Sequence, residues 1–195
     1  MLEFEKKVLL TQREYDFLLY RKQEAPPGRI QINHYYDTDD FEWNRLGITC
    51  RIRERKGKFE ATIKAHRSGA GECSVETSRR AENERDGSLF DAMGVRLQGS
   101  LTTCRTPLAS WRGLNIVLDQ NSYLGCTDYE LEIEYDSSRT AQADLALRSI
   151  AYDLQRHHLI GDQTELCQRA QAGKSKSERF FERKEQLQRF GGAAK

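Results

Sequence analysis

Ile48-Thr49-Cys50-Arg51-Ile52-Arg53-Glu54-Arg55-Lys56-Gly57-Lys58-Phe59-Glu60-Ala61-Thr62-Ile63-Lys64-Ala65-His66 is the stretch that decides the fold. It reads as two strands, 48–55 and 58–66, around a tight hairpin turn at Lys56-Gly57. Successive side chains of a strand point to opposite faces. In the first strand Ile48, Cys50 and Ile52 therefore share one face, and Arg51, Arg53 and Arg55 share the other. In the second, Phe59, Ala61, Ile63 and Ala65 oppose Glu60, Thr62, Lys64 and His66. The stretch 128–136 repeats the device with acid in place of base: Tyr129, Leu131, Ile133 and Tyr135 oppose Glu130, Glu132 and Glu134. Residues 2–10 alternate too, with Leu2, Phe4 and Val8 opposite Glu3, Glu5 and Lys7. An ordinary sheet with one wet face would alternate in this way. A wet face usually mixes Thr, Ser, Lys and Glu, however, whereas here one strand presents only guanidinium and another only carboxylate. Like charges at period two repel unless cations or opposite charges face them. If the sheet closes and helices cover its apolar outside, the charged faces line one interior, with a basic wall and an acidic wall. The prediction is an α+β fold: an eight-stranded antiparallel β-barrel, a tunnel with a charged interior, flanked by helices.

The remaining elements fit around that barrel. Thr11 reads as a helix N-cap with Glu14 three residues on, a capping box for a helix to about Lys22. Pro26-Pro27-Gly28 breaks the chain. Strands are expected over 29–38, within 72–82, and over 95–106 and 113–121, with Gly125 near the next turn and a short helix over 84–94. Ser138 reads as the N-cap of a helix to about His158, with Ala143, Leu147, Ile150, Ala151 and Leu154 on one stripe. After Gly173 the composition turns to Lys, Ser, Arg and Glu, so a polar tail from about 174 is expected to add little core. The 195 residues fit a single domain, 1–195.

Composition excludes several classes. The net charge is +1, so no overall field points to nucleic acid or a membrane surface. No run of about 18 apolar residues exists to span a bilayer. Met1-Leu-Glu-Phe-Glu-Lys-Lys carries charges where a signal peptide needs an apolar run, so no leader is expected. The five cysteines are odd in number and form no CxxC pair, which argues against a disulfide framework or a zinc site and for reduced thiols in a cytoplasm. They read as small buried hydrophobes. His34, His157 and His158 read as strand or helix-end residues, His66 as a candidate for the tunnel mouth through its register with Lys64, and Trp43 and Trp111 as packing or rim residues.

A basic wall beside an acidic wall suits a polyphosphate. Phosphate oxygens take Arg forks and Lys ammonium groups. Carboxylates do not touch phosphate directly, but they hold Mg²⁺ or Mn²⁺, which bridges to it. A lipid or an apolar metabolite would satisfy neither wall.

The same residues resemble a known family. Glu3-Phe4-Glu5-Lys6-Lys7 is an ExExK signature like that of the CYTH family, the triphosphate tunnel metalloenzymes, which include class IV adenylate cyclases, thiamine triphosphatases and inorganic triphosphatases. The likeness continues in order through 31–38, Gly47-Ile-Thr-Cys-Arg51-Ile-Arg53, Thr62-Ile63-Lys64, Arg105, Asp119, Asp128–Glu134 and Lys174–Arg179, and is nearest the bacterial branch. ExExK alone is a weak pattern, but its order with R-x-R, T-x-K and E-x-E is specific. The resemblance implies Glu3, Glu5, Glu130, Glu132, Glu134 and Asp119 as metal ligands and Lys7, Arg51, Arg53, Lys64 and Arg105 as the triphosphate grip. It implies Lys176 and Arg179 as further grip residues at one end, and Glu3, Glu5, Lys7 and Lys64 as the catalytic set. Glu76 is a candidate for the lumen. The implied activity is metal-dependent hydrolysis of a small-molecule triphosphate by a monomer or homodimer. A cyclase making cyclic AMP and pyrophosphate, and a non-catalytic polyphosphate-binding module, are the alternatives.

Overall fold

Eight strands close into one antiparallel ring in the computed structural model, which describes residues 2–21, 27–66, 73–111 and 113–191. Strands β1 (Leu2–Leu10), β2 (Arg29–Asp37), β3 (Ile48–Arg55), β4 (Lys58–His66), β5 (Cys73–Ala81), β6 (Arg96–Trp111), β7 (Leu114–Tyr123) and β8 (Cys126–Tyr135) follow the order β1-β5-β4-β3-β2-β6-β7-β8 around the barrel. The ring closes where β1 pairs β8 from Phe4↔Tyr135 to Leu10↔Tyr129; β1 meets β5 over the short stretch Leu2↔Val75 to Phe4↔Cys73. The β3–β4 hairpin turns at Lys56 and Gly57, both at positive φ (51° and 68°), as a two-residue turn with the twist of its strands requires.

Helices cover the apolar outside. The helices are α1 (Gln12–Arg21), α2 (Glu42–Arg45), α3 (Thr140–Arg156), α4 (Gln163–Gln171) and α5 (Lys176–Gly191). Tyr15 and Leu18 of α1, Ala143, Leu147, Ala151 and Leu154 of α3, and Leu166 of α4 pack on Val8, Leu118, Leu131 and Ile133. The capping box forms: Glu14 N–H donates to Thr11 Oγ1 at 3.3 Å and Thr11 N–H donates to Glu14 Oε2 at 2.7 Å. Arg169 of α4 donates to both Glu14 oxygens at 2.8 and 2.9 Å, which ties α4 to α1.

Four local expectations are corrected. Residues 84–94 form two 3₁₀ turns, Gly87–Leu89 and Asp91–Met93, which carry Phe90 onto Ile52 and Ala61; Gly94 at φ 63° ends them. Ser138 does not cap α3. Asp136 caps a 3₁₀ turn over Ser137–Arg139 by accepting from Ser138 N–H, and α3 begins after it. The tail is not coreless: Phe180 and Phe181 of α5 are fully buried against Tyr35, Phe41, Leu101 and Tyr123. Gly99, at φ 145°, makes room for this, since a Cβ there would lie 2.9 Å from the Phe180 ring. Of the described cysteines only Cys50 is buried, while Cys104, Cys126 and Cys167 are half-buried; all four are free thiols. Lys22, Cys73's side chain and Trp111's side chain lie outside the described residues. Trp43 packs as expected and donates Nε1–H to Met93 O at 2.9 Å.

Candidate active site

The alternation of the strands delivers the charged faces to one cavity. Glu5, Lys7, Arg51, Arg53, Lys64, Arg105, Glu132, Glu134 and Lys176 line a narrow cavity of about 70 Å³ inside the barrel. Lys7 stands opposite Glu132 and Glu5 opposite Glu134 in the β1–β8 register, while Arg51 stands opposite Thr62 and Lys64 opposite Glu76. The basic wall is therefore β3 and β4 with Lys7, and the acidic wall is β7 and β8. Glu76 does face the interior, where Arg51 Nη2 approaches it at 3.4 Å. Glu3 is in register with Ser74, but its side chain and that of His66 lie outside the described residues.

The basic wall has more donors than acceptors. Lys7 and Lys64 both reach Glu5 Oε1, at 2.5 and 2.9 Å. Burial would raise the Glu5 carboxyl, but these two ammonium groups outweigh it and bring it down to about 2. Arg53 donates Nε–H to Asn33 Oδ1 at 2.8 Å and forms no ion pair among the described residues, although Glu60 stands opposite it in the β3–β4 register. Burial and the neighbouring guanidinium groups of Arg51, Arg55 and Arg105 pull it down to about 9. Among the described residues, Arg51 Nε, Asn33 Nδ2 and Gln31 Nε2 are buried donors with no acceptor in the protein. A buried donor without an acceptor is costly, so a wall of such donors is built for an anion.

The acidic wall is neutralised from within. Asp119, Glu130 and Glu132 are buried, and their carboxylate oxygens come within 4.8 Å of one another. Lys176, at the start of α5, places Nζ among them: 2.5 Å from Glu130, 2.5 Å from Glu132 and 2.9 Å from Asp119. Arg105 donates to Asp119 at 2.7 and 2.9 Å, to Glu134 at 2.9 Å, and also to Glu132. Arg179 donates to Asp128 Oδ2 at 2.9 Å and Glu130 Oε2 at 3.1 Å. Burial opposes the charge on Lys176, but the three carboxylates prevail and raise it. Glu132 goes the other way: burial alone would raise it, and Lys176, Arg105 and Lys7 hold it well below the usual range.

The sequence reading thus located both walls but not the partners within them. Arg105, Lys176 and Arg179 engage carboxylates in this structure, on the acidic side. Glu5 and Glu134 sit outside the close carboxylate triad, with Glu5 held by lysines and Glu134 by Arg105 and Asn115. Asp128, Asn33 and Gln31 were not singled out. For Asp128 the signal was available, since it lies at period two from Glu130; Asn33 and Gln31 alternate with Tyr35 along a strand in which no site residue was chosen.

The donor set fits a divalent cation. Three buried carboxylates within reach of one point, already holding an ammonium group, are hard oxygen ligands for an ion such as Mg²⁺ or Mn²⁺. Barrel, opposed walls and triad together set donors suited to a polyanion across one tunnel from oxygen ligands suited to a hard cation. The chain belongs to the CYTH domain family, whose profile matches residues 1–156. The Bacillus subtilis (strain 168) protein "Putative triphosphatase YjbK" is 31% identical over 150 residues, covering 68% of this chain and 77% of its own. A "putative adenylate cyclase" of Bacillus halodurans has the same fold at a TM-score of 0.64, with 26% identity, covering 81% of this chain and 90% of its own. The Hippeastrum protein HpAC1, described as a "putative adenylyl cyclase" with a dominant triphosphatase activity, superposes at a TM-score of 0.65 with 18% identity, covering 92% of this chain and 95% of its own. Among the described residues, no helix is long and apolar enough to cross a membrane.

Proposed function

We propose that this chain is a metal-dependent triphosphatase that hydrolyses a phosphoanhydride bond of inorganic triphosphate, or of an organic triphosphate such as a nucleotide or thiamine triphosphate. The observation that carries the reading is the basic wall of Arg51, Arg53, Lys64 and Lys7, with Arg51 Nε a buried donor that has no acceptor among the described residues, across one cavity from buried Glu132 and its neighbours. Arg51, Arg53, Lys64 and Lys7 grip the phosphate oxygens and stabilise the charge that develops there; phosphoryl transfer needs positioning and charge neutralisation more than covalent help. A divalent cation held by Asp119, Glu130 and Glu132, with Glu3, Glu5 and Glu134 as further ligands, would supply charge neutralisation at phosphate oxygens and a more acidic water. Lys176 and Arg179 offset part of the charge of the acidic wall in the resting protein and join the grip when substrate enters. The relationship to YjbK supports the hydrolase over the cyclase, and no adenine-reading group stands out along the cavity. One domain acting as a monomer or homodimer suffices for this chemistry, and the free thiols suit a reducing cytoplasm.

The test compares Lys64→Ala with Glu132→Ala by thermal unfolding and by phosphate release across a metal titration. Both variants should fold and lose about 10²–10³-fold in rate, the usual scale for one preorganised electrostatic contact. Lys64→Ala should stay impaired at every metal concentration, while Glu132→Ala should be partly rescued by more metal. Folded variants with wild-type rates would remove these residues from the site.

A further inference from the structure

The guanidinium groups that line the tunnel are held in two different ways. Arg105 donates to Asp119, Glu132 and Glu134, and Arg51 approaches Glu76 at 3.4 Å. Arg53 lines the same cavity and forms no ion pair among the described residues, although Glu60 stands opposite it in the β3–β4 register. Its acceptor is neutral: Nε–H donates to Asn33 Oδ1 at 2.8 Å. Its two Nη groups make no hydrogen bond among the described residues.

Strand register explains how Asn33 comes to be there. Period two turns Gln31, Asn33 and Tyr35 inward along β2. Asn33 then stands directly opposite Arg53 of β3 on one side and Leu101 of β6 on the other. A guanidinium can only donate, so it fixes the amide with Oδ1 towards Arg53 and Nδ2 away from it. Leu101 is fully buried and apolar, and Nδ2 has no acceptor among the described residues. A buried amide satisfied at one end alone is costly, and for packing alone a leucine of similar size would serve better. What the amide adds over leucine is a hold on Arg53 Nε. What it adds over aspartate is the absence of charge. A carboxylate in that place would take the fork bidentately and neutralise it, as the acidic wall does to Arg105. With Nε held by a neutral oxygen, the planar fork is fixed while its Nη groups and its charge stay open to an anion. Asn33 is 0% exposed, behind the guanidinium, so it acts on a bound anion through Arg53.

We propose that Asn33 is a positioning residue of the grip: its carbonyl oxygen aims the Arg53 fork into the tunnel and leaves that charge unneutralised for the phosphate oxygens of the substrate. This rests on the triphosphatase reading of the tunnel. It also divides the arginines by use, with Arg105 bound to the acidic wall and Arg53 kept for the ligand.

The experiment measures tripolyphosphate affinity by calorimetry in chelator, and the melting temperature of each ligand-free protein, for wild type, Asn33→Leu, Asn33→Asp, Arg53→Lys and the double variant Asn33→Leu/Arg53→Lys. Arg53→Lys keeps the charge without a planar fork to aim. Asn33→Leu should weaken tripolyphosphate about 10-fold when Arg53 is present, the scale of one hydrogen bond to a charged group, and less than about 2-fold in the Arg53→Lys background. Asn33→Asp, nearly the same size, should move the two readouts in opposite directions. Its melting temperature should rise, because buried Arg53 gains an ion pair, and its affinity should fall at least about 10-fold. A role in packing alone would lower both. Equal weakening by Asn33→Leu in the two backgrounds, or an affinity within about 2-fold of wild type, overturns the proposal. Should Asn33→Leu not fold, Asn33→Asp decides: an unchanged affinity, or one that falls together with the melting temperature, overturns it. Phosphate release from tripolyphosphate with Mg²⁺ by the same preparations tests the reading underneath. Binding that responds to Asn33 without any turnover sinks the triphosphatase reading and leaves Asn33 in its role. Turnover with an affinity indifferent to Asn33 sinks the role alone, and a wild type that binds no tripolyphosphate overturns both.

Discussion

Lys176→Met removes one charge from the acidic wall while nearly preserving the length of the stem, and its effect can be worked from the geometry. The ammonium touches Asp119, Glu130 and Glu132 at 2.9, 2.5 and 2.5 Å, with all three carboxylates buried. Arg105 and Arg179 supply the remaining positive charge and share it with Glu134 and Asp128, so without Lys176 the triad loses a charge that nothing else replaces. Removing one partner from a buried ionic group costs about 3–5 kcal/mol. Proton uptake by a carboxylate reduces this, so the lower figure applies. Metal-free Lys176→Met should then melt about 6–12 °C lower, given about 2–4 °C per kcal/mol for a chain of this length. Linkage is reciprocal: what Lys176 contributes to the metal-free fold it subtracts from the apparent affinity of a competing cation. About 3 kcal/mol corresponds to about 10²-fold in affinity. Calorimetric titration with Mn²⁺ should therefore show at least about 10²-fold tighter binding to the variant, and saturating Mn²⁺ should restore most of the lost melting temperature. A variant with wild-type Mn²⁺ affinity would refute the idea that Lys176 occupies the cation's place.

Other expectations follow from the same contacts. Arg53 is disfavoured in the ligand-free protein by burial and by Arg51, Arg55 and Arg105, so Arg53→Met should raise the thermal midpoint and abolish the stabilisation that tripolyphosphate gives to wild type; a lowered midpoint with intact ligand stabilisation would contradict this. Glu5 is lowered from 4.5 to about 2 in the fold, so its contribution to stability is complete above pH 4.5 and lost as pH falls towards 2. The stability gap between wild type and Glu5→Gln should close over that window in urea unfolding, and a gap constant across it would argue against the lysine pairing. Phe180 is fully buried in the α5 cluster, so Phe180→Ala should cost about 3–5 kcal/mol and raise hydrogen exchange throughout α5; unchanged exchange there would detach α5 from the barrel end.

The barrel was legible because both its faces are written at period two. The rows at Arg51, Arg53 and Arg55 and at Glu130, Glu132 and Glu134 have no use on a wet sheet, and closure followed from that. The capping box at Thr11 and Glu14 was legible for a similar reason: both of its bonds are local. What escaped depends on contacts distant in sequence. Half of the α5 segment is charged, and the Phe180-Phe181 pair that buries it becomes core only against Tyr35 and Leu101, far back in the chain. Helix α4 is short and polar, with Leu166 its one buried residue, so it carries too narrow a stripe to register as periodic. The pairing of Lys176 with the triad was hidden for another reason: sequence shows which charges share an interior, but not which of them neutralise each other before a ligand arrives.

The most direct measurement of the central claim is product analysis on the purified full chain with tripolyphosphate and with ATP, in Mg²⁺ or Mn²⁺ and again after exhaustive chelation, reading orthophosphate, pyrophosphate and cyclic AMP together. The account predicts orthophosphate from tripolyphosphate with the metal, nothing without it, and no accumulation of cyclic AMP. Cyclic AMP with pyrophosphate as the main products, or phosphate release that survives chelation, would contradict it.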